Sequence, residues 1–368
     1  MPAKEEGGMK SLAIVGGAVI GLACAVRAAE SGWQVTVYDS GHLEPQRGDG
    51  LVSTAASRVA AGMLGIAGES RTGDDVYLAF AEQAMSRWPE FIDRLGDDQV
   101  VAASSSLMVG VDSADVGELA MVAEWLARRG HPIEPLTGRE IRALEPAVSG
   151  RVRSGYLARR EMAVDNRRLL AVLADRAATS GVRIETTTVH DLAEISADQV
   201  LLAAGVGSAA LWTGLPVYPS KGEVLRLGST PGALRPPKHV VRGRVNGRAV
   251  YVVPRPDGVV VGATQYDSGF DRRPVAGGVA DLLTDAIELM PSLREYHLLS
   301  AEAGLRPATP DGMPLIGRLD DRTIVATGHG RNGILMCPVT ADLVADILSG
   351  KEIDQPATEP GRFAWQPM

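Results

Sequence analysis

Gly16, Gly17 and Gly21 follow directly on the apolar run Leu12-Ala13-Ile14-Val15, and Asp39 closes the next such run, Gln34 to Tyr38. Residues of these types in this order can bind a dinucleotide. Gly16 lets the chain turn sharply out of a strand, and Gly21 lets the following helix lie close against the sheet. Free N–H groups at the helix start attract a pyrophosphate, and the Asp39 carboxylate can accept hydrogen bonds from an adenosine ribose. An acid at this place favours an unphosphorylated ribose, hence FAD or NAD and not NADP. Ala18 stands where the usual motif carries its middle glycine. Its methyl group predicts a small local shift without loss of binding.

These residues need a strand–helix–strand unit to position them. The pattern predicts a strand at Leu12–Val15, a helix from Leu22 to Glu30 closed by Gly32, and a strand from Gln34 to Tyr38. Residues 41–54 are polar, rich in Gly and Pro, and long for a loop. Helical spacing of Leu78, Met85, Trp88, Phe91 and Leu95 predicts an amphipathic helix over 75–95, and another spans 115–130. Asp165 caps a helix through Ser180, a strand begins at Val182, and the apolar strand Gln199 to Ala204 enters a second glycine turn, Gly205-Val206-Gly207. From Val217 to Thr264 short strands alternate with turns, including Ala249–Pro254 and Gly258–Gly262, as in an antiparallel sheet. A helix follows over Thr284–Met290. A buried strand, Arg322 to Thr327, then turns through Gly328–Gly333 into a last helix ending at Leu348.

The fold class read from this order is α/β: a discontinuous Rossmann-like domain on a parallel sheet, with an inserted α+β domain built on an antiparallel sheet. The expected boundaries are 10–75, 155–215 and 300–350 for the nucleotide-binding domain and 76–154 and 216–299 for the inserted one. Residues 1–9 and 351–368 are expected to be tails.

Composition narrows the class of protein. The chain has 368 residues, enough for about two domains with full cores. Its net charge of −8 argues against nucleic acid or an anionic membrane as partner. Two cysteines, Cys24 and Cys337, make no disulfide framework and fit a reducing compartment. No stretch approaches the ~20 apolar residues of a membrane helix, so a cytoplasmic location is expected. The six histidines show no metal-ligand spacing and no Gly-x-Ser-x-Gly elbow occurs, so neither a metal nor a catalytic triad is expected.

Four segments together resemble one family: Gly16–Gly21 with Asp39, Ala60-Ala61-Gly62-Met63-Leu64, Gly304-Leu305-Arg306-Pro307, and Gly328-His329-Gly330-Arg331-Asn332-Gly333-Ile334-Leu335. Lys221-Gly222-Glu223, Tyr251-Val252-Val253-Pro254-Arg255 and Val261-Gly262-Ala263-Thr264 add to the match. In this order, from about Leu12 to Gly350, the chain resembles FAD-dependent amine oxidases of the D-amino acid oxidase family, most of all the bacterial glycine oxidase group of thiamine biosynthesis.

The resemblance implies non-covalent FAD and an inserted domain that binds substrate. It places Gly16, Gly17, Val19, Ile20, Gly21, Asp39, Ser40, Ala61, Gly62, Met63 and Val189 around FAD, and Gly328 through Leu335 along the flavin. Ser57, with Arg58 beside it, only partly matches the family's small polar residues near Gly62, and 44–53 looks like an insertion. Arg306 becomes the clamp for a substrate carboxylate, a task that suits a guanidinium fork. Tyr251 can donate a second hydrogen bond, and Arg331 adds positive field. Gln265 stands where the glycine oxidase pattern has an apolar residue, which opens the choice of amine. Lys221 can promote reaction with oxygen or shape a strand start, and His329 is expected to position rather than to act as a base.

The reaction implied is oxidation of glycine or a small amine (sarcosine, small D-amino acids) by hydride transfer to flavin, with no protein acid or base and with oxygen reduced to hydrogen peroxide. A homo-oligomer is compatible with the family. Alternatives are a related flavin dehydrogenase passing electrons to a quinone, an oxidase with another primary amine, an NAD-linked dehydrogenase and a non-catalytic nucleotide-binding module.

Overall fold

The computed structural model describes residues 9–41, 55–69, 72–245 and 247–363. The insertion expected at 44–53 lies outside the described residues. The chain divides into two compact units: Met1–Ala55, Leu170–Tyr218 and Arg306–Met368 form the first, Ala56–Leu169 and Pro219–Leu305 the second.

The first unit is built on a six-stranded sheet in the order Leu315–Arg318, Thr323–Thr327, Gln199–Leu202, Ser11–Val15, Gln34–Asp39, Arg183–Thr186. Only the first two strands pair antiparallel; the others are parallel. Parallel strands are covered on both faces, which is why they read as unbroken apolar runs. One face buries Ala13, Val15, Val200, Leu202 and Val325 with Leu192 and Leu215. The helix Val19–Glu30 packs along the last helix, Gly333–Leu348, and Cys24 and Cys337 are free thiols buried in them.

The second unit centres on an eight-stranded sheet. Its order is His297–Ala308, Tyr218–Gly228, Gly258–Gly262, Arg248–Arg255, Val240–Val245, Ser106–Gly110, Ser154–Ala158, Glu134–Thr137. Val240–Val245 and Ser106–Gly110 pair parallel; the strands from 218 to 262 pair antiparallel. Side chains alternate between two faces. Leu225, Leu227, Val250, Val252, Val259 and Val261 pack on one side with Leu282, Ala286 and Leu289 of the helix Ala276–Leu289. Val224, Val240, Val253 and Val260 pack on the other with Val59, Ala61, Ala103 and Ala163. A small sheet of Met63–Leu64, Met162–Val164 and Val101–Ala103 lies in that second layer.

Several expectations change in detail. The first helix starts at Val19 rather than Leu22, and the helix expected at Thr284 starts at Ala276. In both, glycines at the beginning mask the helical pattern. Residues 56–75 and 155–169, expected in the nucleotide-binding domain, fall in the second unit. Pairing of Met63 with Ala163 explains this, because it ties both segments into the layer under the eight-stranded sheet. Of the expected tail, 351–363 belongs to the first unit: Ile316 N donates to Thr358 O (2.8 Å), and Arg362 pairs with Asp311 at 2.7 Å.

Candidate active site

In the first unit Gly16 has φ +109°, and a Cβ there would stand 2.4 Å from the Ala203 carbonyl oxygen. A Cβ at Gly21 would stand 1.8 Å from the Gly16 carbonyl oxygen. Both positions therefore require glycine, one for its backbone and one for the approach of the helix. Ala18 precedes the helix with φ −86° and ψ −168°, extended backbone that alanine adopts freely. It gives the helix no side-chain cap, and no acid stands in the first turn. The N–H groups there are left to an anion. Val19, Ile20 and Gly21 of that turn are buried.

Gly17 N donates to Asp39 Oδ2 at 2.7 Å and Gly41 N to Asp39 Oδ1 at 3.0 Å. The structure thus brings Asp39 to the glycine turn, with Ser40 exposed after it. Val189 packs half-buried against the sheet cluster that includes Val15.

The glycine turn Gly328–Gly333 of this unit leads into the last helix. Gly328 has φ +76°, and a Cβ on it would meet Thr309 Cγ2 at 2.6 Å. Gly330–Asn332 form a single 3-10 turn, and Gly333, Ile334 and Leu335 begin the helix, again without a side-chain cap or an acid in its first turn. Arg331 is exposed and Asn332 buried. His329 is buried, with Nε2 3.0 Å from Thr340 Oγ1; that hydroxyl donates to Met336 O at 2.8 Å, so it accepts from Nε2–H. Burial pushes the imidazole down to about 3. A ring held neutral so firmly is a poor base near neutral pH. Arg306 lies half-buried in the strand His297–Ala308, between Leu305 and Pro307.

In the second unit the backbone from Ser57 to Gly62 is held by its carbonyls. Asn166 Nδ2 donates to Ser57 O and Arg58 O, both at 2.8 Å. Arg255 donates to Ala61 O at 2.9 Å and Arg226 to Arg58 O at 3.3 Å. Burial pushes the Arg226 guanidinium down to about 10. Gly62, at φ +80°, has no room for a side chain because Val164 O lies 2.0 Å from where its Cβ would be. The Ser57 hydroxyl is buried and makes no hydrogen bond to any described residue.

Ala61, Met63 and Tyr251 share one apolar cluster. Tyr251 stands opposite Arg242 on one neighbouring strand and opposite Gly262 on the other. A Cβ at Gly262 would meet the Tyr251 hydroxyl at 2.4 Å, so the ring lies down across the bare glycine. Arg242 is itself engaged by Glu69 at 3.0 Å. Beside it the Glu161 carboxyl accepts from Gly68 N at 2.9 Å and is pushed up by burial.

Gln265 is exposed on the irregular segment after Gly262. Lys221 is buried in the strand Tyr218–Gly228, where its ammonium bonds the Arg273 carbonyl and stands 3.6 Å from Glu223. Among the described residues no group of three or more His, Cys, Asp or Glu is placed to hold a metal. No described helix is long and apolar enough to cross a membrane.

Asn166, Arg242 and Thr340 were beyond sequence reasoning, and Arg255 and Gly262 were named only as parts of matching runs. Asn166, Arg242 and Arg255 act through partners far along the chain, and none of the five carries a spacing signal that tells what it touches.

Comparison with known proteins places these features in a family. Residues 11–347 match the FAD dependent oxidoreductase family designated DAO. The chain is 31% identical to "Glycine oxidase" of Geobacillus kaustophilus over 93% of its length and 93% of that protein's. It is also 31% identical to "Bifunctional protein ThiO/ThiG" of Trichormus variabilis over 94% of its length, and spans about half (53%) of that longer protein. The crystal structure of the Geobacillus kaustophilus glycine oxidase superposes with a TM-score of 0.83 at 29% identity, covering 98% of this chain and all (100%) of the other. The chain thus belongs to the DAO family of FAD-dependent oxidoreductases, as its glycine turns imply.

Proposed function

We propose that the protein is an FAD-dependent oxidase of glycine or a small amine such as sarcosine, serving thiamine biosynthesis. The observation that carries the cofactor assignment is the uncapped start of the helix Val19–Glu30 beside Gly16 and Asp39. The Ser57 hydroxyl, buried and without a hydrogen-bond partner among the described residues, fits a polar ligand atom, since a buried hydroxyl left unbonded is costly. Gly16, Gly17, Val19, Ile20, Gly21, Asp39 and Ser40 would hold the nucleotide. Ser57, Ala61, Gly62, Met63, Val189 and Gly328 to Leu335 complete the proposed contacts. Non-covalent attachment accords with the burial of both thiols, whose pKa values desolvation pushes up.

When bound, FAD would supply the hydride acceptor and the route of the electrons to oxygen. Arg306 grips the substrate carboxylate, Tyr251 donates to it, and Arg331 strengthens the field that draws in a small anion. The substrate amine must be neutral to give up the Cα hydride, and no protein base is needed at that carbon. The resulting imine hydrolyses to an oxo acid or aldehyde plus ammonia or methylamine, and oxygen becomes hydrogen peroxide.

The test is oxygen uptake by the yellow holoenzyme on glycine, sarcosine, N-ethylglycine, D-alanine and D-proline. Uptake with glycine or sarcosine is the expected result. Turnover only with a nicotinamide or quinone acceptor would remove the oxidase assignment.

A further inference from the structure

Lys221 and Glu223 are among the most buried charged side chains, at 1% and 0% exposure. Their bonds converge on one segment. The ammonium donates to Arg273 O and lies 5.9 Å from the Tyr266 ring centroid. Glu223 Oε1 accepts from Val275 N at 2.7 Å, and Oε2 accepts from the Thr264 hydroxyl at 3.1 Å. The backbones agree with the side chains. Lys221 N donates to Tyr266 O (3.0 Å) and Tyr266 N to Lys221 O (2.9 Å), while Glu223 N donates to Thr264 Oγ1 at 3.0 Å. Gly278 leaves the space, since a Cβ on it would stand 2.2 Å from Glu223 Oε2 and 2.6 Å from the Tyr266 hydroxyl.

Both ends of the 264–275 segment are thus fastened to one strand, and Gln265 stands between the two most tightly held residues, Thr264 and Tyr266. Burying an ion pair adds little net stability over an apolar pair, and its best-attested use is to fix register. A hydrophobic pair here would keep the backbone bonds to Tyr266 but lose the side-chain ties to Thr264, Arg273 and Val275 that fasten both ends of the segment carrying Gln265.

We propose that Lys221 and Glu223 are positioning residues that set the place of Gln265 and thereby the enzyme's preference among small amines. This rests on the reading of Gln265 as a substrate-facing residue. The proposal is tested on the holoenzyme with Lys221→Met, Glu223→Gln and Gly278→Ala, alone and combined with Gln265→Ala. Steady-state oxygen uptake gives the ratio of kcat/KM for sarcosine and glycine. The expected shift in that ratio is about tenfold, the order set by one methylene in a pocket. It should vanish when Gln265 is already alanine. Tryptic cleavage after the exposed Arg272 should also quicken, a readout independent of turnover.

An unchanged ratio in variants that keep their flavin, or a shift equally large without Gln265, overturns the proposal. Glu223→Gln and Gly278→Ala keep the test open where Lys221→Met does not fold. A wild-type enzyme inactive on every amine would sink the functional reading and this specificity claim with it, while the cleavage rates would still report whether the segment is stapled.

Discussion

A single guanidinium separates the proposed chemistry from mere nucleotide binding. Arg306 is half-buried, so its fork would meet a carboxylate with reduced competition from water. Two charge-assisted hydrogen bonds of this kind contribute roughly 3–4 kcal/mol, so Arg306→Ala should lower kcat/KM for glycine by about a hundred- to a thousandfold. Arg306→Lys should fall between, because an ammonium keeps the charge and loses the fork. Flavin absorbance should stay at the wild-type level in both, since the grip proposed for this residue is on substrate. Turnover by Arg306→Ala within about twofold of wild type would take Arg306 out of the site. The sequence singles out Arg306 only through the match of the run Gly304–Pro307; in the fold Gly304 lets the strand approach Val59, whose Cβ would lie 3.2 Å from an added one, and Arg306 follows two places on. Tyr251 and Gly262 were likewise named only as parts of matching runs, and that the two meet was not readable, because a glycine in a strand announces close approach without naming what approaches.

Elements rather than residues made the fold readable. Parallel strands and the glycine turns after them carry local signals, so the five parallel strands of the first sheet, the first helix and the last helix follow from the order of motifs, while the antiparallel edge strand Leu315–Arg318 does not. The eight-stranded sheet was readable from 217 to 264, where strands follow one another in antiparallel pairs. Its pairing of Val240–Val245 with Ser106–Gly110 joins segments more than a hundred residues apart, and no local pattern encodes that. The helix Ala276–Leu289 was half seen for a related reason, since Gly278 is small to make room for Glu223 and Tyr266. Spacing between elements also yields a test. Gly21→Ala would put a Cβ 1.8 Å from Gly16 O, prising the first helix from the turn proposed to bind the nucleotide. Overpacking of this kind costs roughly 1–3 kcal/mol. Lowered melting and early flavin release on heating are expected. Gly277→Ala is the control: its Cβ would meet nothing within 4 Å, so melting should hold or rise by an amount worth about 0.5 kcal/mol. Equal behaviour of the two variants would mean that the close contact at Gly21 is relieved without effect.

At the scale of the whole molecule, each unit is assembled from segments far apart in the chain, so a local charge at one turn bears on the unfolding of an entire unit. His329 offers the sharpest case. Its imidazole is buried beside Thr340 and pushed down to about 3 from an ordinary value of 6.5. The folded protein therefore keeps this ring neutral, while the unfolded chain protonates it from about pH 6.5 downward. Between those two values the unfolded state binds the extra proton, so stability must fall as pH falls. Loss begins near pH 6.5 and amounts to about 2 kcal/mol by pH 5, from 1.36 kcal/mol per pH unit. Replacement by an uncharged residue removes this dependence and leaves the other titrating groups in place. His329→Asn, whose amide can still reach a hydroxyl, should accordingly be less stable than wild type at pH 7.5 and lose less on acidification. Denaturant midpoints of the holoprotein at pH 7.5, 6 and 5 measure the difference. Parallel losses in wild type and variant would show that His329 takes up its proton without unfolding, and the turn would then be open enough in solution for the imidazole to meet water.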